Sequence, residues 1–346
     1  MELLGLTRTE LSRYCEELGY PAFRGRQIAD WLYKKGVRDL DAMTNLPAAM
    51  LERLKVEASI GRSDVLKQSR SADGTTKFLL RLVDGETIES VLLPYPDRTS
   101  VCVSSQVGCA VGCLFCATAE CGLVRNLKAG EIVDQVLTLQ ERGGRRVTHV
   151  VFMGMGEPLA NLSNVLKAIE LLHDEVGISM RRLTISTVGI TPAIKKLAEM
   201  NLQLTLAVSL HAPNDALRQT IIPMAARYPL SELLQACREY VDRTKRRITF
   251  EYLLLADIND SLEQARDVAR LLKGMLCHVN LIPYNKVLGK KFERPSQQKL
   301  RMFKATLEQA GIEVTQRIER GHAISGACGQ LRHLSRDIRT SAPILS

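Results

Sequence analysis

The sequence predicts an α/β protein, a partial parallel (β/α) barrel preceded by a helical domain and a small antiparallel β meander. Three observations support this fold class. Apolar residues recur at helical spacing in residues 1–60, Asp-Gly turns at 73–74 and 84–85 punctuate residues 61–97, and strands alternate with helices within residues 98–346. Alternating strands and helices are typical of a parallel sheet, whereas Asp-Gly turns connect antiparallel strands.

The first two segments are short. In residues 1–60, Leu11, Cys15 and Leu18 share one face of a predicted helix. In residues 61–97, the stretches TTKFLLRLV and ETIESVLLP carry apolar residues at alternate positions, which predicts strands. We therefore expect a helical accessory domain at 1–60 and a meander extension at 61–97.

The third segment repeats a strand, a loop and a helix. Its candidate strands are RTSVCVSSQV, THVVFMG, RLTIST, LTLAVSL, ITFEYLL and CHVNLIP. Its candidate helices cover about 129–142, 161–173, 191–200, 229–243, 261–274 and 296–309. In such folds ligands bind at the C-terminal ends of the strands. The tail after about residue 317 has no strong period and carries GHAISGACGQL.

The composition is that of a globular protein, with 45% hydrophobic and 25% charged residues. No apolar run approaches the roughly 20 residues that cross a bilayer. The N-terminus has no basic segment followed by an apolar stretch, so it does not predict a signal peptide. We expect a cytoplasmic protein without membrane contact, whose nine cysteines are thiols, ligands or catalysts rather than disulfides.

The net charge of +9 suits a polyanionic partner, although a solvated basic surface explains the charge equally well. The basic residues cluster at Arg142, Arg145 and Arg146; Lys245, Arg246 and Arg247; Lys290, Lys291 and Arg294; and Arg332, Arg336 and Arg339. Aromatic residues make up only 5% of the chain, which favours binding of folded RNA over stacking on single-stranded bases.

Cys109, Cys113 and Cys116 form a C-x3-C-x2-C triplet after the first strand of the third segment. Structural zinc sites and ordinary four-iron clusters use four protein ligands. A triplet therefore predicts a cubane cluster with one iron open to a small molecule. The zinc alternative requires a fourth ligand, such as Cys102, Cys121 or a distant histidine.

The second motif is Gly154-Met155-Gly156-Glu157-Pro158, directly after the strand THVVFM. Glycines at a strand end let a ligand approach the backbone, and Glu157 can accept a hydrogen bond from an ammonium group. This motif is weak alone and strong together with the cysteine triplet.

With these motifs the chain resembles the radical S-adenosylmethionine enzymes, and more narrowly the RlmN/Cfr family of RNA adenine methyltransferases. The matching stretches span nearly the whole chain. They are FRGRQIADWLYKKG, SSQVGCAVGCLFCAT, FMGMGEPLAN, ISTVGI, SLHAPND, LIPYN and GACGQL. The resemblance implies a radical S-adenosylmethionine barrel with a C-terminal catalytic tail in 98–346 and an RNA-binding role for 1–60.

The resemblance also assigns site residues. Cys109, Cys113 and Cys116 match the ligands of a 4Fe–4S cluster. The positions that match S-adenosylmethionine binding are Gly156, Glu157, Ser186, Ser209, Leu210, His211 and Asn285. Cys328 matches the cysteine that the family methylates, Cys102 its thiol partner, and Glu89 the proposed proton acceptor. From the residues alone, His211 or Asn285 could be structural, Cys102 a packing residue, Cys328 a surface thiol, and Glu89 the partner of a buried arginine.

The mechanism that the resemblance implies uses two S-adenosylmethionine molecules per turnover. One methylates Cys328, and the other binds the open iron and is cleaved to a 5′-deoxyadenosyl radical. That radical takes a hydrogen atom from the methyl group, and the resulting carbon radical adds to adenine. Glu89 accepts the ring proton, and Cys102 attacks the sulfur of Cys328 to release the product as a disulfide forms.

The resemblance implies an adenosine in the peptidyl-transferase region of 23S rRNA as substrate, with carbon 2 as the favoured position, and many family members also modify the adenosine beside the anticodon of certain tRNAs. An electron donor such as flavodoxin or ferredoxin is implied. Three alternatives remain from the sequence: a Cfr-type carbon-8 methyltransferase, a glycyl-radical activase, and a zinc-containing RNA-binding protein without catalysis. The iron content of the anaerobically purified protein distinguishes the last of these.

Overall fold

The structure, a computed structural model, describes residues 1–318 and 320–332. Arg336 and Arg339 of the last basic cluster lie outside these residues. None of the helices in the described part combines the length and apolarity that a bilayer crossing requires.

Three helices form the N-terminal segment: α1 (Arg8–Glu17), α2 (Phe23–Ala29) and α3 (Ala48–Glu57). Helix α1 begins at a capping box, in which Thr7 and Glu10 each accept a hydrogen bond from the other's backbone N–H. Gly25 lets α2 approach α1 closely, because a Cβ atom there would lie 2.2 Å from the backbone nitrogen of Ser12. The apolar faces of these helices join the main hydrophobic core.

The meander consists of β1 (Asp64–Arg70), β2 (Thr76–Arg81) and β3 (Thr87–Pro94), paired antiparallel as predicted. Strand β3 also pairs antiparallel with β4 (Thr99–Cys102), the first strand of the barrel. The meander and the barrel therefore share one continuous sheet.

The barrel contains strands that pair parallel in chain order from β4 onward. After the two-stranded ribbon β5 (Gln106–Gly108) and β6 (Leu123–Asn126), these strands are β7 (His149–Phe152), β8 (Leu183–Thr187), β9 (Thr205–Ser209), β10 (Ile248–Leu254), β11 (Cys277–Pro283) and β12 (Glu313–Gln316). The sheet order is β1-β2-β3-β4-β7-β8-β9-β10-β11-β12. This arrangement confirms the predicted partial parallel barrel with a helical N-terminal segment and a meander.

The helices that follow the barrel strands along the chain are α4 (Ala129–Gly143), α5 (Leu162–Asp174), α6 (Thr191–Glu199), α7 (Asp215–Ile221), α8 (Leu230–Thr244), α9 (Leu262–Leu272) and α10 (Gln297–Gln309). The apolar faces of all but α7 join the main core at the sheet. A second, smaller apolar cluster lies around the cysteine loop and includes Val111, Ile221 and Tyr284.

Three local features differ from the sequence prediction. The stretch RTSVCVSSQV forms two strands, since β4 ends at Cys102 and β5 pairs with β6 in a separate ribbon. Helix α7 and strand β12 were not predicted. Strand β12 escapes a search for alternation because it is short, lies at the sheet edge and buries only Val314.

Candidate active site

A cavity opens at the C-terminal ends of the barrel strands. It is called the barrel cavity here, and its empty volume is about 1050 Å³ including its open mouth. The predicted site residues that line it are Cys109, Cys113, Cys116, Gly156, Glu157, Ser186, Ser209, His211 and Cys328. The structure thus brings together residues from five separate parts of the chain, as expected for ligand binding at strand ends.

The cysteine loop is shaped by backbone hydrogen bonds. The N–H of Cys109 donates to the carbonyl of Gly122 at 2.7 Å, and that of Cys116 donates to the carbonyl of Cys113 at 3.2 Å. Gly108 has φ +76° and approaches Gly122 so closely that a Cβ atom there would lie 1.9 Å from its carbonyl oxygen. This close approach fixes where the loop begins.

Burial raises the pKa of the Cys109 thiol to about 12, and burial followed by the charge of the neighbouring cysteines raises that of Cys113. Three adjacent thiolates are therefore unfavourable without a positively charged partner, and metal binding reverses this penalty. No three His, Cys, Asp or Glu side chains in the described part of the chain converge on a point that one metal ion could occupy. The thiolates of a cubane bind different irons and need not converge in that way.

The Gly-rich turn after β7 packs tightly against the strand before the cysteine loop. A Cβ atom at Gly154 would lie 2.7 Å from the carbonyl oxygen of Val103, and one at Gly156 would lie 2.5 Å from the Cβ atom of Gln106. Gly156 also has φ +96°, a conformation that favours glycine. The turn therefore requires both glycines, and it presents Glu157 to the cavity.

The carboxylate of Glu157 accepts two backbone hydrogen bonds, from Leu159 N–H to Oε1 at 3.0 Å and from Val188 N–H to Oε2 at 2.8 Å. Burial nevertheless raises its pKa to about 7, against the effect of these donors. A cationic ligand in the cavity would favour the ionised form, so this site suits the ammonium group of an amino acid.

His211 is neutral in this site. Its Nδ1 accepts a 3.0 Å hydrogen bond from Leu253 N–H, which places the ring proton on Nε2. Burial, followed by the charge of Arg218, lowers its pKa to about 3. Phe115 from the cysteine loop packs edge-on against the ring, with centroids 5.3 Å apart. His211 is thus a fixed hydrogen-bond donor next to the cysteines.

The chain at the end of β9 separates its predicted residues: Ser209 is the last residue of the strand, and His211, two residues later, has a left-handed φ of +58°. Ser209 and His211 line the barrel cavity, whereas Leu210 between them is fully buried in the main core. The N–H of Leu210 donates to the backbone carbonyl of Glu251, and the carbonyl of Leu210 accepts a hydrogen bond from Nε of buried Arg218. The assignment of Leu210 to ligand binding stays a prediction.

A second cavity, called the tail cavity here, adjoins the first. It is lined by Cys102 and Asn285, and Cys328, Arg317, Met153, Ile282 and Leu331 line both cavities. Burial raises the pKa of the Cys102 thiol to about 12, with a further contribution from Cys328. Cys102 and Cys328 therefore face one cavity, although most of the barrel sequence separates them.

The segment that carries Cys328 is docked by hydrogen bonds. Ala117 N–H donates to the carbonyl of Gly329 at 2.8 Å, and Thr118 Oγ1 donates to that of Leu331 at 2.6 Å. Asn285 Nδ2 donates to the carbonyl of Cys328 at 3.3 Å. The first two hydrogen bonds join the tail to the helical turn that follows the cysteine loop, and the third joins it to the loop after β11.

Arg317 is a functional candidate that the sequence prediction missed. It follows β12 directly and lines both cavities. Its guanidinium donates to the sulfur of Met153 at 3.6 Å. Its pKa is raised first by the charge of Cys328 and also by those of Glu251 and Cys102. Its charge acts to lower the pKa of the Cys102 thiol, against the larger effect of burial.

Glu251 was also missed, although a carboxylate within the apolar strand ITFEYLL was a usable signal. It is buried in the wall of the barrel cavity and accepts a 2.8 Å hydrogen bond from Asn280. Burial raises its pKa, and the charge of Arg317 acts in the opposite direction.

Glu89 lies on β3, and it lines neither of the two cavities. Its Oε1 forms a 2.7 Å ion pair with Lys77, and its Oε2 accepts a 2.9 Å hydrogen bond from Arg332 N–H. The carboxylate thus fastens the end of the tail, and its assignment as a proton acceptor stays a prediction.

Comparison with known proteins identifies the family of this chain. The Radical SAM superfamily model matches residues 103–272, and that of the ribosomal RNA large subunit methyltransferase N-terminal domain matches residues 1–60. A protein from a Picosynechococcus strain named "probable dual-specificity RNA methyltransferase RlmN" is 51% identical, over 99% of this chain and 97% of its own length. The chain belongs to the RlmN family.

A second RlmN relative, from Thermosynechococcus vestitus, is 52% identical over 96% of this chain and 98% of its own length. The crystal structure of a radical SAM methyltransferase from Sphaerobacter thermophilus is 48% identical and superposes with a TM-score of 0.93, covering 96% of this chain and 99% of that one. As an RlmN family member, this chain is a radical S-adenosylmethionine RNA methyltransferase. Family membership excludes the glycyl-radical activase and the non-catalytic zinc protein.

The residues present fit the cofactors that the RlmN family implies. Cys109, Cys113 and Cys116 offer the soft thiolates that a 4Fe–4S cluster uses. Glu157 presents a buried carboxylate for an ammonium group, and Asn285 keeps Oδ1 buried without a partner. An orphaned buried acceptor costs free energy unless a ligand satisfies it.

Proposed function

We propose that the protein methylates carbon 2 of an adenosine in the peptidyl-transferase region of 23S rRNA, and of the adenosine beside the anticodon in some tRNAs. The reaction proceeds through a methylated Cys328 and a transient Cys102–Cys328 disulfide, and it uses two S-adenosylmethionine molecules per turnover. The relatives' name, dual-specificity RNA methyltransferase RlmN, supports this substrate choice. Because that name is RlmN, carbon 2 is favoured over the carbon-8 reaction of Cfr-type enzymes.

One observation carries the proposal. Cys328 lines both the barrel cavity, with the three cluster cysteines, and the tail cavity, with Cys102. A sulfur in this position can accept a methyl group on one side and be attacked by a thiolate on the other. The two cavities share Arg317, a buried cation close enough to both sulfurs to attract negative charge that develops on them.

When bound, S-adenosylmethionine and the cluster supply the methyl group and the one-electron chemistry that removes a hydrogen atom from it. Glu157 and the neutral His211 hold the polar groups of the methionine moiety. Cys328 sulfur gains a carbon bond as its proton leaves, which gives a methyl thioether. After hydrogen removal, the carbon attached to Cys328 adds to carbon 2 of the adenine ring.

Release of the product uses the second thiol. The adduct loses the ring proton to a base, for which Glu89 is proposed, and one electron, which the oxidised cluster would accept. It thereby becomes a closed-shell thioether in which a methylene group joins carbon 2 of adenine to the Cys328 sulfur. Cys102 thiolate then attacks the Cys328 sulfur, so that a sulfur–sulfur bond forms and the sulfur–carbon bond breaks. The departing carbon keeps the electron pair and takes a proton to become the methyl group. An external electron donor, for which a flavodoxin or ferredoxin is proposed, reduces the disulfide.

Mapping of the modified base tests this function. Purified protein with S-adenosylmethionine and a reductant is expected to convert a transcript of the 23S rRNA peptidyl-transferase region to one carrying a single 2-methyladenosine, identified by digestion and mass spectrometry. A transfer RNA transcript tests the second substrate. An 8-methyladenosine product would instead assign the carbon-8 reaction. If the protein carries an intact 4Fe–4S cluster but forms no methylated product, the proposal is wrong.

Variants of Cys328 separate the methyl carrier from the cofactor site. Cys328→Ala is expected to retain iron and to bind S-adenosylmethionine, because neither Cys109 nor Glu157 is altered, but to transfer no methyl group to RNA. Cys121→Ala provides the matched control, since Cys121 is an exposed cysteine beside the same loop. Methyl transfer by Cys328→Ala would show that this sulfur does not carry the methyl group.

A further inference from the structure

Tyr95 lies in the turn between β3 and β4, where its N–H donates to the carbonyl of Arg98 at 2.8 Å. The guanidinium carbons of Arg98 and Arg320 each lie 4.2 Å from the centre of its ring. Arg145 donates to the carbonyl of Tyr95 at 3.4 Å. These four residues, here called the Tyr95 arginine cluster, bring together three cations from distant parts of the chain.

The cluster carries more positive charge than its neighbours neutralise. Arg98 pairs with Asp97 at 3.2 Å, and no other ion pair joins the cluster's arginines to residues that the structure describes. The pKa of nearby His149 is lowered first by burial and then by the charges of Arg182 and Arg98, so Arg182 adds to this positive region. An uncompensated cluster of arginines attracts polyanions.

The position of the cluster links it to the tail cavity. Tyr95 and Arg320 line that cavity together with Cys102 and Cys328. Arg145 is exposed, and the side chain of Arg98 is 40% exposed. The arginines therefore extend from the wall of the cavity that holds both thiols to the open surface beside it.

The chemistry of the cluster favours phosphate over bases. The ring of Tyr95 is occupied by two guanidinium groups, so it is poorly available for stacking on a nucleobase. A guanidinium that stacks on an aromatic ring can still donate from the N–H groups on its edge. Arg320 uses Nη1 for the carbonyl of Pro94 at 2.6 Å, and its other N–H groups match the oxygens of a phosphate. The stacking also fixes the side chains, which reduces the entropy cost of binding.

We propose that the Tyr95 arginine cluster binds the phosphate backbone of the RNA next to the adenosine that enters the tail cavity. The inference rests on the proposed function for the identity of the RNA. It goes further by assigning backbone binding to Arg98, Arg145 and Arg320 on the β3–β4 side of the molecule. Backbone binding positions the strand, while the tail cavity receives the base.

The test uses the double variant Arg98→Ala/Arg145→Ala of the full-length protein, purified with its 4Fe–4S cluster. Binding of the 23S rRNA transcript is measured by fluorescence anisotropy at several salt concentrations without S-adenosylmethionine. The dissociation constant is expected to rise about 10-fold or more. The slope of log K against log salt should decrease by about 2, because each arginine that neutralises a phosphate contributes roughly one to that slope. Arg98→Lys/Arg145→Lys is expected to restore much of the binding.

A control separates a specific surface from a general reduction of charge. Arg266→Ala/Arg270→Ala removes two exposed arginines from α9, and it is expected to bind the transcript like the wild-type protein. Iron content and the methylation of Cys328 by S-adenosylmethionine, measured as a mass increase of the tryptic peptide 321–332, are expected to be unchanged in every variant. These two readouts exclude misfolding as the cause of weak binding.

Two outcomes are decisive in different ways. The inference is wrong if Arg98→Ala/Arg145→Ala binds the transcript with unchanged affinity and salt slope. It is also wrong if the α9 variant loses as much affinity. Either result would hold even when the wild-type protein methylates the transcript. If the wild-type protein binds the transcript through the Tyr95 arginine cluster but methylates no RNA, the proposed function is wrong and the inferred binding surface is retained.

Discussion

The side-chain amide of Asn285 donates a hydrogen bond to the backbone carbonyl of Cys328, with a nitrogen–oxygen distance of 3.3 Å. This hydrogen bond connects the loop after β11 to the segment that carries Cys328. The other side-chain atom, Oδ1, is buried and lacks a partner. Asn285 thus holds the tail with one polar group and leaves the other for a ligand.

Asn285→Ala is expected to loosen the tail. Removing one hydrogen bond costs about 1 kcal/mol, so backbone amides in peptide 321–332 are expected to exchange with deuterium roughly five-fold faster. Binding of S-adenosylmethionine should weaken as well. Asn164→Ala, which removes a 2.8 Å hydrogen bond to Asn161, is the control. Unchanged exchange in peptide 321–332 would mean that the other hydrogen bonds of the tail suffice.

Each of the cysteine-triplet substitutions is expected to remove the cluster. Cys109→Ala, Cys113→Ala and Cys116→Ala should each contain less than one iron after anaerobic purification, whereas the wild-type protein and Cys121→Ala should contain about four irons each. Iron and acid-labile sulfide assays measure this. Zinc at one equivalent in the wild-type protein, with no iron, would contradict the assignment.

Binding of S-adenosylmethionine is expected to depend on pH through Glu157. Burial raises the pKa of its carboxyl group to about 7, so the charge that attracts an ammonium group is present above that pH and lost as pH falls through it. Equilibrium dialysis between pH 6 and 8.5 should show weaker binding at low pH, and Glu157→Gln should bind weakly at every pH. His211 contributes no slope here, since its pKa is about 3.

The raised pKa of Glu157 also makes the free energy of unfolding depend on pH, in the direction opposite to that of ligand binding. The folded, ligand-free protein holds the Glu157 proton more tightly than the unfolded chain, whose carboxyl titrates near the ordinary value of 4.5. The contribution of Glu157 to stability therefore falls as pH rises from about 4.5 to about 7. The difference in free energy of unfolding between the wild-type protein and Glu157→Gln should follow this trend.

Arg317→Met is expected to slow alkylation of Cys328 by iodoacetamide at neutral pH. The substitution removes the buried cation that attracts negative charge on this sulfur as it reacts. Peptide 321–332 contains Cys328 as its only cysteine, so mass spectrometry can follow this site alone. Arg317→Lys should retain most of the rate. Equal rates in the wild-type protein and Arg317→Met would show that Arg317 does not act on the sulfur.

The part of the site that sequence could predict is local in the chain. The spacing of Cys109, Cys113 and Cys116 and the Gly156-Glu157 turn are each encoded within a few residues. These assignments need no knowledge of how distant strands pair. The burial of Leu210 between Ser209 and His211 was not predictable in this way, because β9 ends at Ser209 and His211 has a left-handed φ of +58°.

The part that sequence could not predict depends on long-range pairing. Arg317 reaches the two cavities only because β12 joins the edge of the sheet beside β11, and β12 has too few buried residues to be recognised. Arg320 meets Tyr95 across more than 200 residues. The partners of Glu89, which are Lys77 and the backbone of Arg332, are likewise set by how the tail docks.

The most direct test of the two-thiol mechanism concerns Cys102. Cys102→Ala should still methylate Cys328 and add its carbon to RNA, but it has no thiolate to break the sulfur–carbon bond. Mass spectrometry after reaction should therefore find peptide 321–332 joined through Cys328 to an adenosine of the RNA, whereas Cys15→Ala, a buried cysteine of α1, should release free product. Free methylated RNA from Cys102→Ala, with no covalent adduct, would contradict the proposed roles of the two thiols.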